Sequence, residues 1–283
     1  MPVTYFEDEI EKGEQGSRTE KKQDDMDPLK IIDEVKKNYA EMHSYSSDVH
    51  IVYDLVRGKE PDKRIIKGNL KLLKPDLYNI SWEEDSSSGH SGAAWNSGRG
   101  PFSLIGKDHY LTTKTNTLNL AAMTGVSSRI TYTLPFLFFK EDNNVFADLK
   151  SFRMVNSETI NNDDCFVIEA SNADIPKILF WISKNRKVIL QIEEHEQANT
   201  SNKAEANSTE LSDEEIKVLL TANDGKEPTP EIIKKTKELM SKAAVEREGT
   251  IKEIFENIQI NSNIETQSLS VPIPEGVVVQ ELN

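Results

Sequence analysis

The chain has 283 residues, of which 36% are hydrophobic, enough to bury the core of one large domain or two small ones. The formal net charge of -14 disfavours binding to nucleic acid and to anionic lipid headgroups, whereas a partner with a basic surface would be attracted. No apolar run approaches the roughly 20 residues that cross a bilayer, and the first residues lack the basic start and apolar segment of an export signal.

The first predicted elements are a tail and a helix. Residues 1–27 are polar and acidic with almost no apolar periodicity, so we predict a flexible acidic tail. Asp27 is then placed to cap a helix, and Pro28 suits its first position. The apolar stripe of this helix is predicted to consist of Leu29, Ile32, Val35, Tyr39 and Met42.

After this helix the apolar period changes from 3.6 to 2 residues, which indicates β-strands. The alternation begins in DVHIVYDLV and continues in IKGNLKLL and YNISW. Later strands are predicted at DCFVIEAS, KILFWISK, KVILQIEE, TIKEIFENIQI and GVVVQEL, with a hairpin turn at Asn185 and Arg186. Short alternating strands with few helical crossovers predict an antiparallel sheet with one buried face.

Between two of these strands the pattern changes again. Residues 197–209 are small and polar, and the next segment opens with a capping box from Ser212 to Glu215. A second helical pattern follows with Pro230 near its start. We therefore predict a helical insertion over residues 196–249.

The strongest resemblance to a catalytic motif is the run Gly89-His90-Ser91-Gly92-Ala93, which is similar to the nucleophile elbow of a hydrolase. That elbow needs a buried strand before the serine and a helix after it, and neither is predicted there. A flexible polar loop is therefore favoured, and a hydrolase that uses Ser91 is the least favoured function.

The candidate metal ligands show no metal-binding pattern. The five histidines never occur at the i, i+4 spacing of a helical metal pair, so surface histidine is the favoured interpretation. The lone Cys165 excludes an internal disulfide and an all-cysteine metal site. We predict no catalytic residue, no metal and no cofactor.

The stretch LPFLFF, residues 134–139, concentrates large apolar side chains around one proline. It could form a buried core, the wall of an apolar ligand site or a loop that inserts into a membrane. A core is favoured because aromatic clusters at element junctions are usually buried. The acidic pair Glu141 and Asp142 beside it disfavours approach to anionic lipid.

One hairpin suggests a family. Residues 68–82, GNLKLLKPDLYNISW, resemble the signature hairpin of the bacterial outer-membrane lipoprotein carrier (LolA-like) superfamily: a glycine, an alternating strand, a basic residue with proline, and an aromatic-bearing strand. The matching positions are Gly68, Leu70, Lys74, Pro75, Tyr78 and Trp82. An opening helix, a tryptophan-bearing hairpin and a Pro-Glu-Gly-Val turn before the last strand follow in the order of that family.

The resemblance implies an α+β fold over residues 28–283. It is expected to be a curved antiparallel open β-barrel, or half-barrel, with helices covering an apolar concave face, plus the helical insertion. LPFLFF would then lie in the lid over that face. Carriers of this family latch the lid with an arginine, for which Arg57 and Arg64 are the nearest candidates.

The function that this resemblance implies is non-enzymatic binding of lipid acyl chains or lipoproteins in the periplasm or cell envelope. The alternative is an envelope sensor or scaffold module that binds a protein partner with a basic surface through its acidic surface and insertion. We predict no nucleic-acid partner. The predicted ligand-lining residues are Leu70, Leu72, Tyr78, Ile80, Trp82, Trp95, Phe136, Phe138, Phe139 and Trp181.

Overall fold

The computed structural model describes residues 26–85, 91–172, 175–197 and 247–282. These residues form a single curved, open sheet of twelve strands with three short α-helices, which confirms the predicted curved sheet. The helices are α1 (Pro28–Glu41), α2 (Asn116–Met123) and α3 (Thr133–Phe138). The strands are β1 (Ser44–Arg57), β2 (Glu60–Leu73), β3 (Leu77–Glu84), β4 (Ser91–Asn96), β5 (Pro101–Ile105), β6 (His109–Thr113), β7 (Ser151–Ile160), β8 (Asp163–Ser171), β9 (Lys177–Ser183), β10 (Ile189–Glu196), β11 (Arg247–Ile260) and β12 (Val279–Leu282).

The strand order is β12-β6-β5-β4-β3-β2-β1-β11-β10-β9-β8-β7. All neighbouring strands are antiparallel except β12, which pairs parallel with β6. The long hairpin of β1 and β2 lies at the centre, and β11 joins it to the second half of the sheet. Most pairs are sequence neighbours because short turns connect antiparallel strands directly.

Helix α1 begins as the sequence predicts. The carboxylate of Asp27 accepts a hydrogen bond of 3.0 Å from the amide of Leu29, and Pro28 occupies the first helical position. The predicted stripe is wrong at Leu29, which is 53% exposed, because Ile31 takes the buried place two positions further along. The ring of Tyr39 lies 5.7 Å from the ring of Tyr45, which joins α1 to β1.

Helices α2 and α3 belong to the segment that we call the lid, residues 116–139. A proline breaks the interior of a helix, but Pro135 lies in the first turn of α3. In that turn the backbone amides have no intrahelical acceptor, so a residue without an amide proton costs little.

The two faces of the sheet carry different cores. The inner face packs with α1 and the lid in the main hydrophobic core. On the outer face of β4–β6, a smaller cluster around Ala93, Trp95 and Tyr110 packs against apolar residues from the segment 271–279. The sheet is therefore buried on both faces at this end, not on one as the alternation suggested.

Two boundaries differ from the sequence prediction. Ser91, Gly92 and Ala93 belong to β4, so the flexible loop predicted at these positions is wrong. Their pairing with β3 and β5 holds them in extended conformation. Glu196 ends β10 and residues 247–249 begin β11, while residues 198–246 of the predicted insertion and residues 1–25 of the predicted tail lie outside the described residues.

Candidate functional site

Five of the ten predicted lining residues lie together on the inner face of β2 and β3. The register places Leu70 opposite Ile80 and Leu72 opposite Tyr78, and Trp82 follows on the same face of β3. All five side chains are at most 4% exposed and belong to the main core. Strand alternation therefore assembles this part of the predicted lining.

Helix α3 places aromatic rings of the lid in the same core. Phe136 and Phe138 are 1% and 0% exposed. The ring of the half-buried Phe139 lies 6.1 Å from the ring of Tyr78 and 5.1 Å from the ring of Phe138. LPFLFF is thus buried within the protein in this conformation and does not project as a membrane-inserting loop would.

The structure does not bring the two remaining tryptophans to this place. Trp95 lies on the outer face of β4, where its ring stacks 5.7 Å from the ring of Phe102. Trp181 alternates with the inward-facing Phe180 and donates a hydrogen bond of 2.7 Å from Nε1 to the carboxylate of Glu158. Neither indole lies on the sheet face that carries the five predicted residues of β2 and β3.

A buried amide ties helix α2 to the sheet. Asn119 is 0% exposed, and its Nδ2 donates to the hydroxyl of Tyr78 at 2.9 Å and to the carbonyl of Phe102 at 3.0 Å. Its Oδ1 accepts from the hydroxyl of Ser103 at 2.6 Å. Burial raises the pKa of Tyr78, so its hydroxyl stays protonated. These bonds give the lid a polar fastening inside an apolar core.

A second fastening is an arginine between α2 and α3. Arg129 adopts a φ of 77° and forms an ion pair with Glu194 on β10. Its Nε lies 3.4 Å from Oε1 of Glu253 on β11. Glu253 is 2% exposed and stands opposite Ile51 and Ile192 in the sheet register, so its carboxylate is buried among inward-facing residues.

The charges of this cluster depend on each other. Burial raises the pKa of Glu253, although the nearby charge of Arg129 and a hydrogen bond from Thr133 oppose the shift. Burial acts to lower the pKa of Arg129, but the attraction of Glu253 and Glu194 outweighs it and raises that pKa. The guanidinium of Arg129 in the lid is therefore permanently charged and lies between the carboxylates of Glu194 and Glu253 on the sheet.

The two arginines predicted as latch candidates serve the β1–β2 hairpin. Nε of Arg57 lies 2.6 Å from one carboxylate oxygen of Asp62, and Nε of Arg64 lies 2.8 Å from the other. The guanidinium of Arg64 also lies 4.3 Å from the ring centroid of Tyr53. The arginine that connects the lid to the sheet is Arg129, which the sequence analysis did not identify.

One signal in the sequence could have pointed to this cluster. In TIKEIFENIQI, Glu253 falls in the same alternation as Ile251 and Phe255, both of which are buried. A carboxylate at a buried strand position needs a cation or a hydrogen-bond donor beside it. The partner, Arg129, lies 124 residues before Glu253 in the sequence. Only the tertiary structure shows that its guanidinium reaches this carboxylate.

The described residues include neither the nucleophile elbow nor a metal cluster. Ser91 begins a strand opposite Glu83, not the helix that a nucleophile elbow requires. No group of three or more histidine, cysteine, aspartate or glutamate side chains that could hold a metal occurs in the described ranges. Within the same ranges, none of the helices has the length and apolarity needed to span a bilayer.

Comparisons with known proteins identify similar folds. No protein-family model matches the chain, and no curated protein matches it. An uncharacterised conserved protein from Thermus thermophilus is similar in structure, with a TM-score of 0.45, 8% identity and coverage of 90% of this chain and 98% of that one. The lipoprotein LppX of Mycobacterium tuberculosis has a TM-score of 0.40 at 7% identity, covering 84% of this chain and 97% of that one.

A LolA superfamily protein from Nitrosomonas europaea is also similar, with a TM-score of 0.31 and 10% identity over 87% of this chain and 98% of that one. The LolA-like architecture expected from residues 68–82 is thus found among the similar structures. All three TM-scores are below 0.5.

Proposed function

We propose that this protein is a non-enzymatic component of the bacterial cell envelope that binds an acyl chain of a lipid or lipoprotein on its inner face. The bound chain lies between β2–β3 and the lid, in the space that Phe136 and Phe138 fill when the lid is closed. The five predicted residues of β2 and β3 supply the apolar wall. Binding of this kind needs no catalytic group, because burial of the chain provides the free energy.

The observation that carries this proposal is the polar fastening of an apolar lid. Arg129 holds the lid through Glu194 and Glu253, and desolvation offsets much of the attraction in such a buried cluster. Asn119 adds hydrogen bonds whose groups can pair with water when the lid opens. The lid is therefore easier to separate from the sheet than a purely apolar contact of equal size.

The magnitudes are consistent with exchange of the lid for a ligand. Burial stabilises a bound chain by about 0.8 kcal/mol per methylene, so about ten buried methylenes contribute about 8 kcal/mol. Part of this free energy opens the lid and displaces the phenylalanines, and the remainder appears as affinity.

The test is a titration with a fluorescent fatty acid. Wild type is compared with Arg129→Met, which loosens the lid, and with Arg153→Met as a matched control. Arg153 pairs at 2.9 Å with Glu169 on β8 and is 67% exposed. We expect saturable binding to wild type, tighter binding to Arg129→Met and no change in the control. Absence of binding to all three folded proteins would exclude the proposal.

The second candidate is a module that binds a protein partner through the predicted insertion. One observation makes it testable: Glu196 of β10 is paired with Gly249 of β11, so the ends of the intervening segment are neighbours in the sheet. A two-residue turn in place of residues 198–246 should keep the sheet intact. Loss of a protein partner with retained fatty-acid binding would favour this candidate.

A further inference from the structure

A cleft in the other half of the sheet opens beside β11. Pairing between β10 and β11 ends with Gln191 opposite Ile254, whereas β11 continues to Ile260. In the described ranges, no strand pairs with this last part of β11 on the β10 side. The space has a volume of about 450 Å³. One edge of a strand is therefore left open inside a cleft.

A β-bulge lies in the unpaired part of β11. The register between β1 and β11 shifts between Ser46 and Asp48, and Asn257 adopts a φ of 52°. Nδ2 of Asn257 donates a hydrogen bond of 2.7 Å to the carboxylate of Asp48, which fixes the bulge. β10 begins only at Ile189, and its own register with β9 shifts between Ile189 and Gln191, so little of β10 remains to pair with β11 beyond Ile254. The bulge adds a bend to the unpaired part of β11.

The walls of the cleft combine apolar and acidic groups. Ile160, Leu190 and Ile258 supply the apolar surface. Arg186 also lines the cleft, but its Nε and Nη2 donate to Oδ2 of Asp163 at 2.9 and 2.7 Å, so its charge is already compensated.

The acidic group that faces an incoming molecule is Glu256. Its side chain is 40% exposed, and its ion-pair contact is with Nδ1 of His50 at 3.9 Å, a long distance for a strong pair. The net charge of -14 adds a field of the same sign. The cleft therefore favours a cationic partner with apolar side chains.

We propose that this cleft binds an extended, basic peptide segment of a partner protein by adding it as a strand to the edge of β11 between Phe255 and Ile258. The backbone groups of the free edge supply hydrogen bonds to the segment. An apolar side chain of the segment packs against Leu190 and Ile258, and a neighbouring lysine or arginine lies beside Glu256. The cleft is not lined by residues of β2, β3 or the lid, so it adds a protein-binding surface to the proposed lipid-binding one.

The experiment uses the full chain and two capped synthetic peptides, one alternating lysine with valine and one alternating glutamate with valine. Binding is followed by fluorescence anisotropy, and amide hydrogen exchange locates the site. We expect the lysine peptide to bind and to slow exchange between Phe255 and Ile258. Glu256→Lys should weaken binding about tenfold or more. Glu248 is exposed on the same strand but lies outside the cleft, so Glu248→Lys should change the affinity for the lysine peptide by less than about twofold.

Several results would overturn the proposal. Equal binding of both peptides, equal effects of the two charge reversals or unchanged exchange on β11 would each do so. An excess of fatty acid should leave peptide binding unchanged, and displacement of the peptide by fatty acid would place it on the inner face instead. Because the peptide readout is independent of acyl binding, failure of one proposal does not imply failure of the other.

Discussion

Replacing Arg129 by methionine removes the cation from the lid contact and keeps a side chain of similar length. The carboxylate of Glu253, whose side chain is 2% exposed, then loses the guanidinium 3.4 Å away. Breaking a buried ion pair from one side costs about 3–5 kcal/mol. Because the Arg129 side chain is 24% exposed, we expect the lower end of that range, about 3 kcal/mol.

The loss should appear first in the lid, since Arg129 connects the lid to β10 and β11. A cost of about 3 kcal/mol corresponds to about a hundredfold increase in the open population. Amide exchange at Thr131 and Thr133, which lie in the lid, should accelerate by a similar factor. The double variant with Glu253→Met removes the more buried of the two carboxylates that lose Arg129 and should recover much of the loss.

The reasoning would be refuted by additive effects. If Arg129→Met and Glu253→Met destabilise independently, with a coupling free energy below about 0.5 kcal/mol, the two side chains do not interact as described. Unchanged exchange at Thr131 in Arg129→Met would equally show that this arginine does not hold the lid. Urea unfolding of all four proteins gives the cycle, and hydrogen exchange gives the location.

Three further predictions concern the packing and titration of the sheet. Phe138→Ala should lower the free energy of unfolding by about 3–5 kcal/mol in urea, because the ring is 0% exposed. Gly92→Ala should lower the free energy of unfolding by about 1–3 kcal/mol, because the added Cβ would lie 2.3 Å from an indole carbon of Trp82. Gly125→Ala is the control: its Cβ would meet nothing within 4 Å, so the free energy of unfolding should change by less than about 0.5 kcal/mol. The pKa of Asp48 is held low by hydrogen bonds, first from Asn257, so Asn257→Ala should raise it in a carbon-detected NMR titration.

Linkage between protonation and folding gives the direction in which pH changes the stability of Asn257→Ala relative to wild type. A carboxyl group whose pKa is lower in the folded state stabilises the fold above its ordinary pKa of about 4 and loses that contribution as the pH falls through the folded value. Asn257→Ala should therefore be less stable than wild type near neutral pH, and the difference should shrink in acid. A constant difference down to a pH of about 2 would contradict this account.

The parts of the fold that follow from local rules were predictable from the sequence. The Asp27 cap needs only residues within one turn, and the alternation of β1–β3 determines which side chains share a face. The same rule places Leu70, Leu72, Tyr78, Ile80 and Trp82 together, because each strand has a strict period of two.

The assignment of a face to isolated aromatic residues was not predictable in the same way. Trp95 and Trp181 occur in strands in which residues of both parities are buried, so alternation does not say which face is the inner one. For Trp95 the outer face is buried by Val271, Ile273 and Val277 from a distant part of the chain. Such packing depends on tertiary contacts that no local pattern contains.

The ion pairs of Arg129 with Glu194 and Glu253 could not be predicted from the sequence either, because they also depend on tertiary contacts. Arg129 belongs to a short turn, and nothing nearby distinguishes it from a solvated arginine. Its partners Glu194 and Glu253 come from two strands that become neighbours only when β10 and β11 pair. The resemblance directed attention to Arg57 and Arg64, which are near the signature hairpin in sequence but bind Asp62 instead.

The most direct test of the central claim is native mass spectrometry of wild type and Arg129→Met, purified after export in a bacterial host and then incubated with a saturated fatty acid. The account predicts a bound acylated species of defined stoichiometry, with a larger bound fraction in the variant. Only the unliganded mass for both proteins, each shown to be folded, would contradict it and identify the lid phenylalanines as permanent core.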